Sequence, residues 1–185
     1  MKTKRGRIQL KSMVTKYLIN RKTMALIPGY HPDYPTIALE EEGRVPANRF
    51  PFELIDDTLR IYYTSHRERK KAIENQMRFR KKTPMPIDLD QIFMFPTHAI
   101  HHHACAWISL LHVRCIKKAD NPEHSIIVFH NNDSIVVEAT QYSLKQQMKR
   151  TRRIQEHCEQ IKAENLTFLL KQKKKIKRSF NRKQK

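Results

Sequence analysis

His98, His101, His102 and His103, with Cys105 close behind, crowd five groups able to ligate zinc or another borderline metal into one short stretch. Three consecutive histidines cannot all face one ion from a regular strand or helix, and no CxxC pair completes a structural site. The simpler reading is a surface loop that takes up protons below neutral pH. No metal or other cofactor is therefore expected. His112 with Cys115, or Asp88 with Asp90, has the residue types of a nucleophilic or acid/base pair, but closeness in sequence does not set catalytic geometry. The chain has only three glycines, Gly6, Gly29 and Gly43, so no phosphate-cradling or dinucleotide loop can follow Gly43, and the Gly-x-Ser-x-Gly elbow is missing. An enzyme is not expected.

Charge carries a different chemistry. Thirty-seven Lys and Arg against 18 Asp and Glu give a formal charge of +19 on 185 residues, a surface that attracts polyanions. Each cation set against a phosphate releases a condensed counterion, so binding should be strong at low salt and fall steeply as salt rises. Composition does not choose between DNA, RNA and an anionic membrane. Two clusters stand out. From His66 to Lys82 run Arg67, Arg69, Lys70, Lys71, Arg78, Arg80, Lys81 and Lys82, with only two acids among them. Later come Lys145, Lys149, Arg150, Arg152 and Arg153. Guanidinium is weakly hydrated and forks onto phosphate oxygens, which favours phosphate or minor-groove contact over a merely solvated helix face. Arg67, Arg69, Lys70, Lys71, Arg78 and Arg80 are the first candidates for DNA contact, with Arg150, Arg152 and Arg153 second.

These side chains need a scaffold. Met13–Ile19 and Met24–Pro28 read as strands, and the proline-punctuated stretch that follows holds another at Thr36–Glu40. Leu54, Ile55, Leu59 and Tyr62 recur at helical intervals over Glu53–Tyr63. Strands are expected at Gln91–Phe95, Cys105–Lys117, Ser125–Phe129 and Ser134–Thr140, the last two joined by a turn at His130–Asp133. Ser143 suits an N-cap, and Leu144, Met148, Thr151, Ile154, Cys158 and Ile161 then form the stripe of an amphipathic helix. Phe93, Phe95 and Trp107 are expected in the core on one strand face. Lys171–Lys185 holds nine basic residues and no acids, leaving +10 of the charge to the rest, and reads as a disordered basic tail. The expected architecture is α+β: a mainly antiparallel sheet with a mid-chain helix and a C-terminal amphipathic helix, one domain over residues 1–170 with a tail at 171–185. No apolar run is long enough to span a bilayer, and no secretory signal follows the basic residues Lys2, Lys4, Arg5 and Arg7. Three cysteines without a CxxC fit reduced thiols, so an intracellular protein is expected.

Several segments, taken in order, resemble one family. Ile92-Phe93-Met94-Phe95-Pro96-Thr97, a variable stretch, then Trp107-Ile108 and His112-Val113 are similar to the ComK family of competence transcription factors. Ile127–Ile135 resembles that family's Val-x-Phe-x-Asn hairpin, and Tyr142-Ser143-Leu144 with Gln147 resembles its Tyr-x-Ser helix opening. The likeness covers roughly Phe50–Thr151. After the first helix the family pattern has glycines where this chain has Tyr63 and Glu68. The resemblance implies a sequence-specific activator of competence (DNA uptake) genes that binds double-stranded DNA at paired A-rich and T-rich boxes, largely through the minor groove. It implies a homo-dimer or tetramer, a cytoplasmic, nucleoid-associated location, and control by an adaptor and Clp protease, for which Phe168-Leu169-Leu170 is a partial likeness of the recognised segment. The alternative is a non-specific RNA-binding or ribosome-associated basic protein, in which an exposed β surface stacks bases.

Overall fold

The structure, a computed structural model, describes residues 16–183, with side chains described as far as Lys173. Its centre is a six-stranded antiparallel sheet. The strands are β1 (Thr23–Pro28), β2 (Thr36–Glu40), β3 (Gly43–Ala47), β4 (Met85–Pro86), β5 (Phe93–Pro96) and β6 (Trp107–Ser109), in the spatial order β3-β2-β1-β6-β5-β4. A second sheet holds β7 (Val113–Lys118), β8 (Ser125–Phe129) and β9 (Ser134–Val137) in that order. The helices are α1 (Pro51–Ile61), α2 (His66–Met77) and α3 (Gln141–Lys183). The expected α+β class holds. The structure adds β3 and β4, which were not expected from the sequence.

Successive strand residues point to opposite faces, and here both faces of the large sheet are buried. One face presents Leu26, Met94 and Trp107 to Leu54, Ile55 and Leu59 of α1. The other presents Ala25, Phe95 and Ile108 to Ile116, Ile127 and Phe129 of the small sheet and to Leu144 of α3. Phe93, Phe95 and Trp107 are core residues as expected, all 2% exposed or less. They do not share a face, however. Phe95 pairs with Ile108 across β5 and β6, so the next residue on β6, Trp107, projects the opposite way.

Other expectations need correction. The run Cys105–Lys117 is not one strand but β6, a 3-10 turn at Leu110–His112, and β7, which belongs to the other sheet. The His112 ring donates from Nε2 to the Arg21 carbonyl at 2.7 Å and pins that turn. Continuous apolarity hid the break, because a turn whose residues are as apolar as the flanking strands leaves no mark on hydrophobic periodicity. Of the expected strand Met13–Ile19, residues 13–15 lie outside the described residues, as do the basic residues near Lys2; Tyr17 and Ile19 are buried but not in a strand. The hydroxyl of Tyr17 instead donates to Glu40 at 3.0 Å. α3 begins at Gln141. Thr140, not Ser143, supplies the side-chain cap, its Oγ1 accepting from the Ser143 N–H at 3.3 Å. The predicted stripe packs through Cys158, but Ile161 is 39% exposed. The helix runs to Lys183.

Candidate nucleic-acid interface

α2 is started by a capping box: Ser65 Oγ accepts from the Glu68 N–H at 3.3 Å, and the Glu68 carboxylate accepts from the Ser65 N–H at 2.8 Å. That start fixes which way each of its cations points. His66 and Ile73 are buried, so Arg67 and Lys71, one turn apart, lie on the outer face. Lys70 faces Glu74 at 3.5 Å. Arg69 turns inward and donates to the carbonyls of Pro86 and Ile87, the latter at 2.9 Å, tying α2 to β4. Its guanidinium also lies 5.8 Å from the Tyr62 ring centroid. Arg69 is thus occupied in holding the fold, unlike Arg67 and Lys71.

The helix ends at Arg78, which takes a left-handed backbone (φ 60°), and four residues later Lys82 does the same (φ 48°). Residues other than Gly rarely adopt this region unless the surroundings enforce it, and such residues concentrate at functional sites. Arg78 is the left-handed cap of α2, its N–H donating to the Glu74 carbonyl at 3.0 Å, and the loop after it is held at its Lys81–Lys82 end. Buried Gln147 donates through its Nε2 to the Lys82 carbonyl at 2.7 Å and the Pro96 carbonyl at 3.0 Å. Arg150 donates to the Lys81 carbonyl at 3.2 Å, and the Lys82 ammonium donates to the Thr97 carbonyl at 3.0 Å. The loop 78–82 is thereby seated on the opening turns of α3.

At the centre of that seat is Phe79, 8% exposed, packed with Ile73, Phe93 and Ile154. The guanidinium carbons of Arg150 and Arg153 lie 5.3 Å and 5.4 Å from its ring centroid. The electron-rich ring attracts both cations, and the loop that carries Phe79 also bears exposed Arg78, Arg80 and Lys81. The two arginine groups, some seventy positions apart in the chain, therefore form one basic patch. Arg152 is exposed on α3. Phe79 and Gln147 were not singled out in the sequence as site residues; an aromatic flanked by cations in Arg78-Phe79-Arg80 was the available signal.

The histidine loop is built differently. His98 stacks on His102 and His102 on His103, each pair with ring centroids 4.5 Å apart. Thr97 Oγ1 lies 3.0 Å from His98 Nδ1, and burial, reinforced by His102, pushes the His98 pKa below the usual imidazole value. Among the described residues no group of three or more His, Cys, Asp or Glu side chains gathers to hold a metal. Cys105 is buried, and that burial raises its thiol pKa. The aromatic side chains that would stack RNA bases on an exposed β surface, Phe93, Phe95 and Trp107, are all inside. Among the described residues, no helix is long and apolar enough to cross a membrane.

Tyr63, fully exposed in the linker between α1 and α2, has φ 54°, a conformation a glycine adopts without strain.

Comparison with known proteins gives the family. The competence transcription factor of Bacillus subtilis (strain 168) is 26% identical over 148 residues, covering 72% of this chain and 77% of that protein. No solved structure matches significantly. The family profile described as "ComK protein" matches residues 14–163, a span that takes in both sheets, α1, α2 and the packed part of α3, and the chain belongs to the ComK family.

Proposed function

We propose that this protein is a DNA-binding activator of competence genes that reads paired A-rich and T-rich boxes through the minor groove. The observation that carries the reading is the single basic patch in which Arg78, Arg80 and Lys81 meet Arg150 and Arg153 around the Phe79 ring. Arg67 and Lys71 on the outer face of α2 and Arg152 on α3 extend the positive surface. A-tracts have narrow minor grooves in which negative potential is concentrated, and arginines already ordered on a protein surface enter them at reduced entropic cost. Contacts to phosphate position the protein, while groove width and deformability supply the preference. Two boxes call for two copies of the chain related by symmetry.

The test is a competition binding assay at near-physiological salt. A duplex with paired A-block and T-block sites is set against a scrambled GC-rich duplex and a structured RNA. The expected result is a preference of about a thousandfold or more for the paired sites. Equal binding to all three, lost steeply with salt, would refute the reading and leave only non-specific attraction of the +19 charge to polyanions.

A further inference from the structure

Between α2, α3 and β4 lies a cleft of about 270 Å³. Arg69, Ala72 and Ile73 line it from α2, and Ile154 and Cys158 from α3, spacings that put side chains on a common helix face. Ala72 and Cys158 are small, so the two helices leave space between them there instead of interlocking. A polar bridge joins the helices at the same cleft, with Gln76 Oε1 lying 3.2 Å from His157 Nε2.

One cation stands in this largely apolar wall. Arg69 Nη1 gives its two N–H groups to the carbonyls of Pro86 and Ile87. A guanidinium has five such donors, and the edge that remains, Nε with Nη2, is a fork that takes both oxygens of a carboxylate. The acids nearby are engaged elsewhere: Asp56 pairs with Arg60, Glu74 with Lys70 and Asp90 with Lys162. Asp88 Oδ1 accepts from the N–H groups of Asp90, Gln91 and Ile92. Among the described residues no carboxylate pairs with Arg69. Where water is partly excluded, an anion set against that fork is held more strongly than on an open surface.

We propose that this cleft binds a small amphipathic carboxylate, its apolar chain between Ile73 and Ile154 and its two oxygens on the Nε–Nη2 edge of Arg69. A single cation in an apolar wall matches a single negative charge, whereas a phosphate would bring in charge that nothing there balances. Drug-sized ligands occupy roughly 300–1,000 Å³, so a volume just below that range suits a chain of about eight carbons. Ile73 and Ile154 also pack against Phe79, so a bound ligand would join α2 to α3 through the residues that seat the basic loop.

The experiment is calorimetric titration of octanoate into the full chain without DNA, with octanol and acetate as comparisons. The expected result is saturable binding of one octanoate per chain, at least about tenfold tighter than either comparison. Location is read by iodoacetamide labelling and mass spectrometry. Octanoate should slow modification of half-buried Cys158 at least about threefold, as a ligand excluding reagent from its cleft, and leave half-buried Cys115 on β7 unchanged. Ala72→Phe, which fills the cleft from the exposed side of α2, should weaken octanoate binding at least about tenfold in a protein shown to be folded by circular dichroism. Arg69→Gln should bring octanoate down to the affinity of octanol. No saturable binding, equal binding of octanol or acetate, equal protection of both cysteines, or undiminished binding by either folded variant would overturn the proposal. Each of these results is independent of whether the protein prefers AT-rich DNA.

Discussion

Replacing Phe79 by Leu separates two roles that charge counting merges. Leu keeps an apolar side chain among Ile73, Phe93 and Ile154 but removes the ring face that holds Arg150 and Arg153. Each cation–π contact at a partly exposed site is worth about 0.5–1 kcal/mol, so two of them order the arginine pair with about 1–2 kcal/mol. Without the ring, that ordering must be supplied when DNA binds. Affinity for the paired AT-block duplex should fall by about 5- to 30-fold, since 1.4 kcal/mol is tenfold. No charge is lost, so the salt dependence should not move. Arg150→Ala/Arg153→Ala is the contrast: it removes two cations, and the slope of log affinity against log salt should become shallower by about 1.8. The assay is fluorescence anisotropy of labelled duplex at several salt concentrations, with circular dichroism and thermal melting to confirm the fold. If Phe79→Leu leaves affinity within twofold of wild type while folded, or flattens the salt slope as the double arginine variant does, the aromatic seat does not preorganise the interface.

Two further outcomes follow from the same packing. Arg69→Ala strips the donor from the Pro86 and Ile87 carbonyls and should cost about 2–3 kcal/mol of stability, seen as a lower Tm, while the salt slope of DNA binding stays at the wild-type value. A slope reduced by about one with unchanged Tm would instead make Arg69 a phosphate contact. His66 is buried edge-on to Phe52 and Trp107, and burial, with help from the Lys70 ammonium, lowers its pKa to about 4. The unfolded chain therefore holds the proton more readily than the folded one. The stability tied to the neutral ring is complete above the ordinary histidine value of about 6.5 and is lost as pH falls toward 4. It amounts to about 2 kcal/mol once solvent screening is allowed for. Urea unfolding at pH 7 and pH 4.5 should show this loss in the wild type and a smaller one in His66→Phe; equal losses would place the acid sensitivity elsewhere.

Local pattern was enough for much of the fold. Leu54, Ile55 and Leu59 at helical spacing marked α1, and β-branched runs marked β1, β2, β8 and β9, because a buried face imposes its period directly on the chain. The ordered motifs around Phe95-Pro96 and Trp107 were sufficient to suggest the family. Composition alone identified a polyanion-binding surface as the leading chemistry. The division into two sheets at Leu110–His112 was not legible, since it depends on a contact between His112 and the distant Arg21 carbonyl. Nor could the sequence tell Arg69 from Arg67. Both sit in one cationic run, and only the packing of α2 turns one toward the carbonyls of β4 and leaves the other in solvent. The seating of the 78–82 loop on α3, with Arg150 and Arg153 at the Phe79 ring and Arg150 on the Lys81 carbonyl, is likewise a tertiary fact. Gln147 and two strained backbone positions bring remote segments together, and no periodicity within either segment encodes where the other will lie.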